Sequence, residues 1–564
     1  MGRAASKSEF MSDTLEPITN LGTLLEEQAQ QRPEQAAVIV AGKRINGKET
    51  SINFQELNEL TKVYALGLRK DGVEKGSRVL VMITPSVDLI AVTWSLFRLG
   101  AVPILIDPGM GIKRLISCIR RTKPEILVGI PRAHLLSLTF KRSFSSLKKR
   151  ITVGPKLSLG GSSTKDYKQK PEAWSSDESM SDSDLAAILF TSGSTGSPKG
   201  VRYEFKNFAS QVSMLKAHFN ISPGGKDLPL LPVFALFNPA LGLTSVLPRV
   251  NPAKPAKLDA DHVIDLIQKH QIEHSFGAPV LWKKIARRAA ETQKSLDSLV
   301  EILVAGSDVS PELVELLKRW TPKARILTPY GATECLPISL IDGKAILNPE
   351  TRSLNESGQG NCVGKPLPGI DLKIIPPSDQ TLESLEDVLE CRHDEIGEII
   401  VRGDVVTKAY DKLEEETKLA KIPDGNSFWH RMGDLGYLDK QGYLWYCGRI
   451  AHMVETSRGP LYSVCVEAIF NKHPQVYRSA LVYLGSKHPP HVPAVVVELE
   501  NGEKPDPKIL SIELQKLGAQ HSNTRPIRNF YIHPSFPVDV RHNAKIHRIE
   551  LSKWAAKQDP LPSV

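Results

Sequence analysis

Ile188-Leu189-Phe190-Thr191-Ser192-Gly193-Ser194-Thr195-Gly196-Ser197-Pro198-Lys199-Gly200-Val201 sets an apolar run against a loop of hydroxyls and glycines that closes on a lysine. The run from Ala186 to Phe190 predicts a buried strand. The loop after it suits phosphate. Its glycines let backbone N–H groups approach an anion, the hydroxyls of Thr191, Ser192, Ser194 and Thr195 can donate to phosphate oxygens, and Lys199 brings a mobile positive charge. Pro198 before the lysine and Gly200 after it break the GxxxxGK[ST] spacing, which argues against a Walker-type NTPase. A Ser/Gly-rich surface linker is the competing reading, but linkers seldom follow a buried strand directly or leave through Pro-Lys-Gly into an apolar residue.

Outward from this loop, 564 residues are too many for one ordinary core, so two or more domains are expected. A net charge of +9 invites a nucleic-acid partner, yet Lys and Arg are dispersed and form only short clusters such as Lys148-Lys149-Arg150. Anionic small molecules, or weak attraction to an acidic membrane surface, fit better. The six cysteines are far apart with no CxxC pair, which argues against a disulfide scaffold or a zinc site and suits a reducing, cytoplasmic setting. No apolar run reaches the roughly 18 residues of a transmembrane segment, and Met1 to Glu16 lacks a signal-peptide centre.

Upstream, helical spacing over Leu21 to Gln31 and Gln55 to Leu68 alternates with strand-like runs at Ala36 to Val40, Arg78 to Ile83, Val102 to Ile106 and Ile126 to Gly129. With a helix from Val87 to Leu99 between two of those strands, the pattern is a parallel βαβ unit, and its recurrence predicts doubly wound α/β subdomains. A polar turn is expected at Gly42 to Gly47, and Leu157 to Asp184 reads as a surface loop leading into the phosphate strand. Downstream, Phe208 to Phe219 predicts a helix, and Leu230 to Leu243 is apolar enough to line a pocket or to be plain core.

The string Thr191 to Gly200 resembles the signature of the adenylate-forming superfamily of acyl-CoA synthetases, luciferases and adenylation domains, and further motifs of that family follow in order. Val304-Ala305-Gly306-Ser307 is similar to the adenine-pocket loop. Tyr330-Gly331-Ala332-Thr333-Glu334 implies a ring to stack on adenine, a hydroxyl for the α-phosphate, and a carboxylate for Mg²⁺, without which Glu334 would be repelled by ATP oxygens. Asp434 in Arg431 to Tyr437, with Arg449, resembles the ribose motif. Near the end, Lys545 in Arg541-His542-Asn543-Ala544-Lys545-Ile546 matches the late lysine that neutralises the α-phosphate during adenylation, although Ala544 replaces the usual glycine. Ala235 stands where the family often carries a histidine, and Ala451 where it carries an Asp or Lys hinge.

Residues 1–20 read as a flexible leader, and the resemblance implies an AMP-binding N-terminal domain at 21–449 and a small, mobile α+β lid at 450–564. Several segments resemble more narrowly the OleC-type β-lactone synthetases of olefin biosynthesis: Ala235 to Ser245, Thr328 to Pro337, Val454-Glu455-Thr456, Gly459 to Tyr462, and Arg541 to Ile546. That narrower likeness implies ATP and Mg²⁺, a long-chain 2-alkyl-3-hydroxy acid as substrate, and a β-lactone, AMP and pyrophosphate as products. It also implies company in the pathway from a reductase and a β-lactone decarboxylase. A long-chain acyl-CoA or acyl-AMP ligase is the alternative. For lactone closure His452, His542 and His547 could titrate near neutrality, and none is singled out as the base.

Overall fold

The computed structural model describes residues 20–42, 47–154, 161–191, 197–249, 257–386, 388–485, 488–538 and 546–562. Among these residues, most strands fall into sheets of nine, eight and six strands, with a three-stranded sheet near the C-terminus. The eight-stranded sheet is built on the expected βαβ unit. Arg78–Met82 and Val102–Leu105 pair in parallel, the helix Val87–Arg98 crosses between them, and Ile126–Gly129 joins on the other side. These strands are nearly all Val, Ile and Leu because helices cover both faces of a parallel sheet. The phosphate strand, Leu185–Thr191, pairs in parallel with Val102–Leu105 and then turns back antiparallel as Lys199–Glu204.

The nine-stranded sheet repeats the theme. Lys226–Asp227, His274–Gly277, Glu301–Val304 and Arg325–Ala332 run parallel, with the antiparallel strand Cys335–Asp342 beyond. The carboxyl ends of these parallel strands therefore emerge side by side, the usual place for a ligand site in an open α/β sheet.

The sequence did not announce the six-stranded antiparallel sheet, in which Gly397–Arg402, Ser427–Leu438 and Leu444–Arg449 are neighbours. At Arg449 the chain leaves this sheet. It passes through one turn at Ile450–His452 and builds the small sheet of Val476–Leu484, Val492–Leu499 and Asn529–Ile532. Helices Ser463–Phe470, Pro507–Ala519 and Arg548–Ala555 accompany it. The architecture is thus a large α/β unit followed by a small α+β one.

Two sequence expectations change here. Residues 161–184 are not a free surface loop: Trp174 is buried and donates to Asp177, Asp177 pairs with the fully buried Arg98 at 2.7 Å, and Tyr167 donates to Asp71. A few long side chains anchor this stretch in place of an apolar pattern. Asn20, counted with the leader, instead caps the helix Leu21–Gln31 and bonds the carbonyls of Phe97 and Glu178. The rest of the leader, and most of the polar turn at Gly42 to Gly47, lie outside the described residues.

Candidate active site

The strands Arg325–Ala332 and Cys335–Asp342 form a hairpin whose turn is Thr333-Glu334. The register shifts between Tyr330 and Ala332, and a Cβ on Gly331 would stand 2.6 Å from the Cys335 carbonyl oxygen, so only glycine fits this crossing. The hairpin sends its side chains to two neighbouring clusters.

The first is built on Asp434. Register places it directly across from Arg449, whose Nε lies 2.9 Å from Asp434 Oδ1, while the Tyr330 hydroxyl donates to Oδ2 at 2.7 Å. Asp434 is buried, and Arg449 compensates its charge. Burial, then the Asp434 charge, raises the Tyr330 phenol well above its ordinary range, so it stays a donor. The Tyr446 ring stands 6.0 Å from that of Tyr330. An aromatic face, a carboxylate and a guanidinium thus share one wall.

The second cluster is built on Glu334. Its Oε1 accepts from the Tyr410 hydroxyl at 2.8 Å, and Lys199 Nζ lies over the Tyr410 ring, 4.5 Å from its centre. The strand Ala409–Tyr410 reaches this point by pairing with Lys199–Glu204. From behind, Tyr203 donates to the Thr333 carbonyl at 2.6 Å, and Thr407 donates to the Glu334 carbonyl through both N–H and hydroxyl. Lys421, buried, donates in turn to the Thr407 carbonyl. Burial pulls its ammonium down to about 7, with Glu334 acting in the opposite sense. The neighbouring His430 is held neutral by burial and by Lys421.

Of the residues singled out in the sequence, Lys199, Tyr330, Glu334, Asp434 and Arg449 converge, and Thr333 forms the turn between them. Gly306, with φ at +102°, and Ser307 follow Glu301–Val304, the strand beside Arg325–Ala332. That backbone angle is one that glycine adopts without strain. Ser192 to Gly196 and Lys545 lie outside the described residues. On their flanks, Thr191 and Lys199 pair across the hairpin, and Val538 and Ile546 form an antiparallel bridge. His452 does not titrate near neutrality: burial, with Arg548 and Arg449 close by, takes its imidazole down to about 3. His542 lies outside the described residues.

Sequence reasoning missed Tyr203, Thr407, Tyr410 and Lys421. Tyr203 carried a signal, since strand alternation puts it on the face of Lys199. The other three reach the site only through tertiary folding.

Beside the hairpin, Pro329, Leu336 and Pro337 form part of the wall of a largely apolar cavity. The apolar segment expected to line a pocket does so through Phe234, Phe237 and Leu241. Ala235 is buried, and the adjacent Phe234 stacks on Phe276 at 3.9 Å. The far end is polar, where Asp227, His274 and Glu301 stand at or near the amino ends of their strands. Burial lifts the carboxyls of Asp227 and Glu301, to about 7 and about 6.

A glycine-rich hairpin, an aromatic-carboxylate wall and a carboxylate at a strand end suit a nucleotide beside an apolar acid. The profile of the AMP-binding enzyme family matches residues 25–411. The chain belongs to this family. Among its AMP-binding relatives, the olefin β-lactone synthetase of Stenotrophomonas maltophilia is 38% identical over 96% of this chain and 98% of its own. That of Xanthomonas campestris pv. campestris shows the same identity and coverage. The long-chain-fatty-acid–CoA ligase of Thermus thermophilus is 23% identical over 86% of this chain and 88% of its own. In fold, the amide bond synthetase of Marinactinospora thermotolerans superposes with a TM-score of 0.77 at 20% identity, over 95% of this chain and 99% of its own. The o-succinylbenzoate CoA synthetase of Bacillus subtilis, solved with ATP and magnesium ion, gives 0.72 at 21% identity, over 93% of this chain and 99% of its own. As an enzyme the chain is therefore a ligase of the acyl-adenylate-forming type.

Proposed function

We propose that this AMP-binding enzyme converts a long-chain 2-alkyl-3-hydroxy acid to a β-lactone through an acyl adenylate, releasing AMP and pyrophosphate. The observation that carries the reading is the 38% identity, over nearly the whole chain, to two olefin β-lactone synthetases. The site supplies suitable chemistry. Tyr330 offers its ring to adenine, Asp434 its carboxylate to the ribose hydroxyls, and Lys199, with the hydroxyl loop, positive charge and donors to phosphate.

Glu334 suits Mg²⁺ better than a cation held wholly by protein. Among the described residues no group of three or more His, Cys, Asp or Glu could hold a metal, and a lone half-buried carboxylate fits an ion that keeps its waters and binds phosphate oxygens. The ion, when bound, offsets phosphate charge. Tyr410 and Thr407 hold Glu334 in place for it.

In the first step the substrate carboxylate attacks the α-phosphorus and pyrophosphate leaves, with Lys545 neutralising the charge that gathers there. In the second, the β-hydroxyl oxygen attacks the activated carbonyl, loses its proton, and expels AMP as the acyl–oxygen bond breaks. The nucleophile is already tethered, so the pocket has only to hold it near the carbonyl, and the adenylate drives closure against ring strain. We place the join between the catalytic domain and its lid at Arg449, and a cytoplasmic or membrane-peripheral enzyme working beside a reductase and a decarboxylase fits this chemistry.

The test offers ATP, Mg²⁺, CoA and either the hydroxy acid or its 3-deoxy analogue, with products read by mass spectrometry. The hydroxy acid should give lactone and AMP with no use of CoA, and removal of Mg²⁺ should stop both. The deoxy acid should exchange pyrophosphate and stall as bound adenylate. An acyl-CoA thioester formed at the rate of AMP release would overturn the lactone reading in favour of a CoA ligase.

A further inference from the structure

A second, smaller cavity lies on the other side of the segment that lines the first. All its lining side chains are apolar, among them Trp94, Phe97, Leu105, Leu189 and Ala240. Phe237 lines both cavities. The helix Phe205–His218 divides in the same way, presenting Gln211 and Leu215 to the larger cavity and Phe208 and Val212 to the smaller.

This partition is tied to the reaction site. The Phe237 ring packs on Phe208 at 5.9 Å, Phe208 packs on Tyr203 at 5.0 Å, and Tyr203 holds the carbonyl of Thr333 in the catalytic turn. The larger cavity borders that hairpin through Pro329 and Leu336, and the smaller borders the phosphate strand through Ala187 and Leu189. The two spaces therefore lie on either side of Phe237, one reaching the Thr333-Glu334 hairpin and the other the phosphate strand.

We propose that the two hydrocarbon arms of the substrate, the 2-alkyl branch and the chain beyond the β-carbon, are held apart, one in each cavity, with Phe237 as the divider. The inference rests on the function proposed above. A straight-chain acid would leave one apolar cavity unfilled, so its adenylate gains only part of the burial a branched acid gains. Splaying the arms also fixes the C2–C3 bond and presents the β-hydroxyl to the carbonyl, which favours four-membered closure. The cavities differ in their ends. The larger meets the polar groups Asp227, His274 and Glu301, which stop an alkyl chain, whereas the smaller is apolar throughout.

The test uses the full-length enzyme and a matrix of 2-alkyl-3-hydroxy acids in which each arm is lengthened independently, reading kcat/KM for lactone. Ala240→Leu, or Val233→Trp at the exposed rim, fills the smaller cavity. Leu303→Phe, or Leu215→Phe, fills the larger. Small-cavity variants should lose at least about tenfold on the long forms of one arm and spare the other, and large-cavity variants should show the reverse. Phe237→Ala should narrow the difference between acids whose two arm lengths are exchanged. Variants that penalise the same arm, both arms equally or neither would overturn the proposal while leaving wild-type lactone formation intact. Adenylate from straight-chain acids with no lactone from any branched acid would overturn this proposal and the function beneath it together.

Discussion

Asp227 is an acid placed where an acid is costly. It is buried at the polar end of the larger cavity with Asn238 donating to it at 2.7 Å, and that bond does not offset the desolvation that lifts its carboxyl to about 7. Because the folded-state value lies above the unfolded one, the folded chain binds this proton more tightly between about pH 4 and 7. Stability from this group is present below that window and is lost as the pH rises through it, a difference on the order of a few kcal/mol. Asp227→Asn removes the titration and keeps an oxygen for Asn238. The amide adds an offset that does not vary with pH. Melting midpoints of both proteins from pH 4 to 8.5 should show the variant gaining on the wild type by several degrees as pH rises, and levelling near neutrality. A gap that is flat, or that shrinks with pH, would rule out a buried titrating carboxyl at this position.

At the level of elements, what was legible depended on whether neighbours in sequence are neighbours in space. The parallel strands stood out because covering helices force runs such as Arg78–Met82 and Ile126–Gly129 to be apolar end to end. Tyr330, Thr333 and Glu334 are legible as one short motif that resembles the family's, and the structure shows why it is short: one tight hairpin carries all three. Asp434 and Arg449 are legible only through their resemblance to a ribose motif, since the strand pairing that sets them across from each other joins positions fifteen residues apart. Lys421 had no local signal at all, since its role rests on the carbonyl of Thr407, which lies on another segment. The same reasoning applies to the small sheet, where Glu467 is clamped to Arg548 by bonds of 2.6 and 2.8 Å and also accepts from the Leu481 N–H. This pair ties the helix Ser463–Phe470 to Arg548–Ala555, two residues after Ile546 and its bridge to Val538. Glu467→Ala leaves a guanidinium and an N–H without partners in a largely dry place, a loss of about 3–5 kcal/mol. Hydrogen exchange should then rise across 454–562 while the sheets before Arg449 stay protected, and Glu467→Gln should do less harm. Uniform exchange over the whole chain would show that the pair does not act locally.

For the whole molecule, the distribution of cores sets what can be separated. Apolar clusters centred on Phe470 with Phe530, and on Tyr531 with Leu551, are made wholly of residues after Arg449, and the clusters under the large sheets need almost nothing from that region. The exception is one seam, where Cys465 and the half-buried Ile450, Met453 and Tyr462 join a core containing Cys447 and Cys362. A fragment ending at His452 should therefore fold, with a small loss of stability from exposing that seam. It keeps Tyr330, Glu334, Asp434, Arg449 and Lys199, so it should still bind ATP in calorimetry. It lacks Lys545, so pyrophosphate exchange should fall by about 10²–10³, the usual cost of removing one group that stabilises transition-state charge. Full-length Lys545→Ala should show a similar loss at unchanged stability, which separates the missing charge from the missing domain. A fragment that exchanges pyrophosphate as fast as the intact chain would show that the large unit holds the whole first step, leaving the small one some other task. A fragment that does not fold would show that the seam at Cys465 matters more to the large unit than its core composition implies.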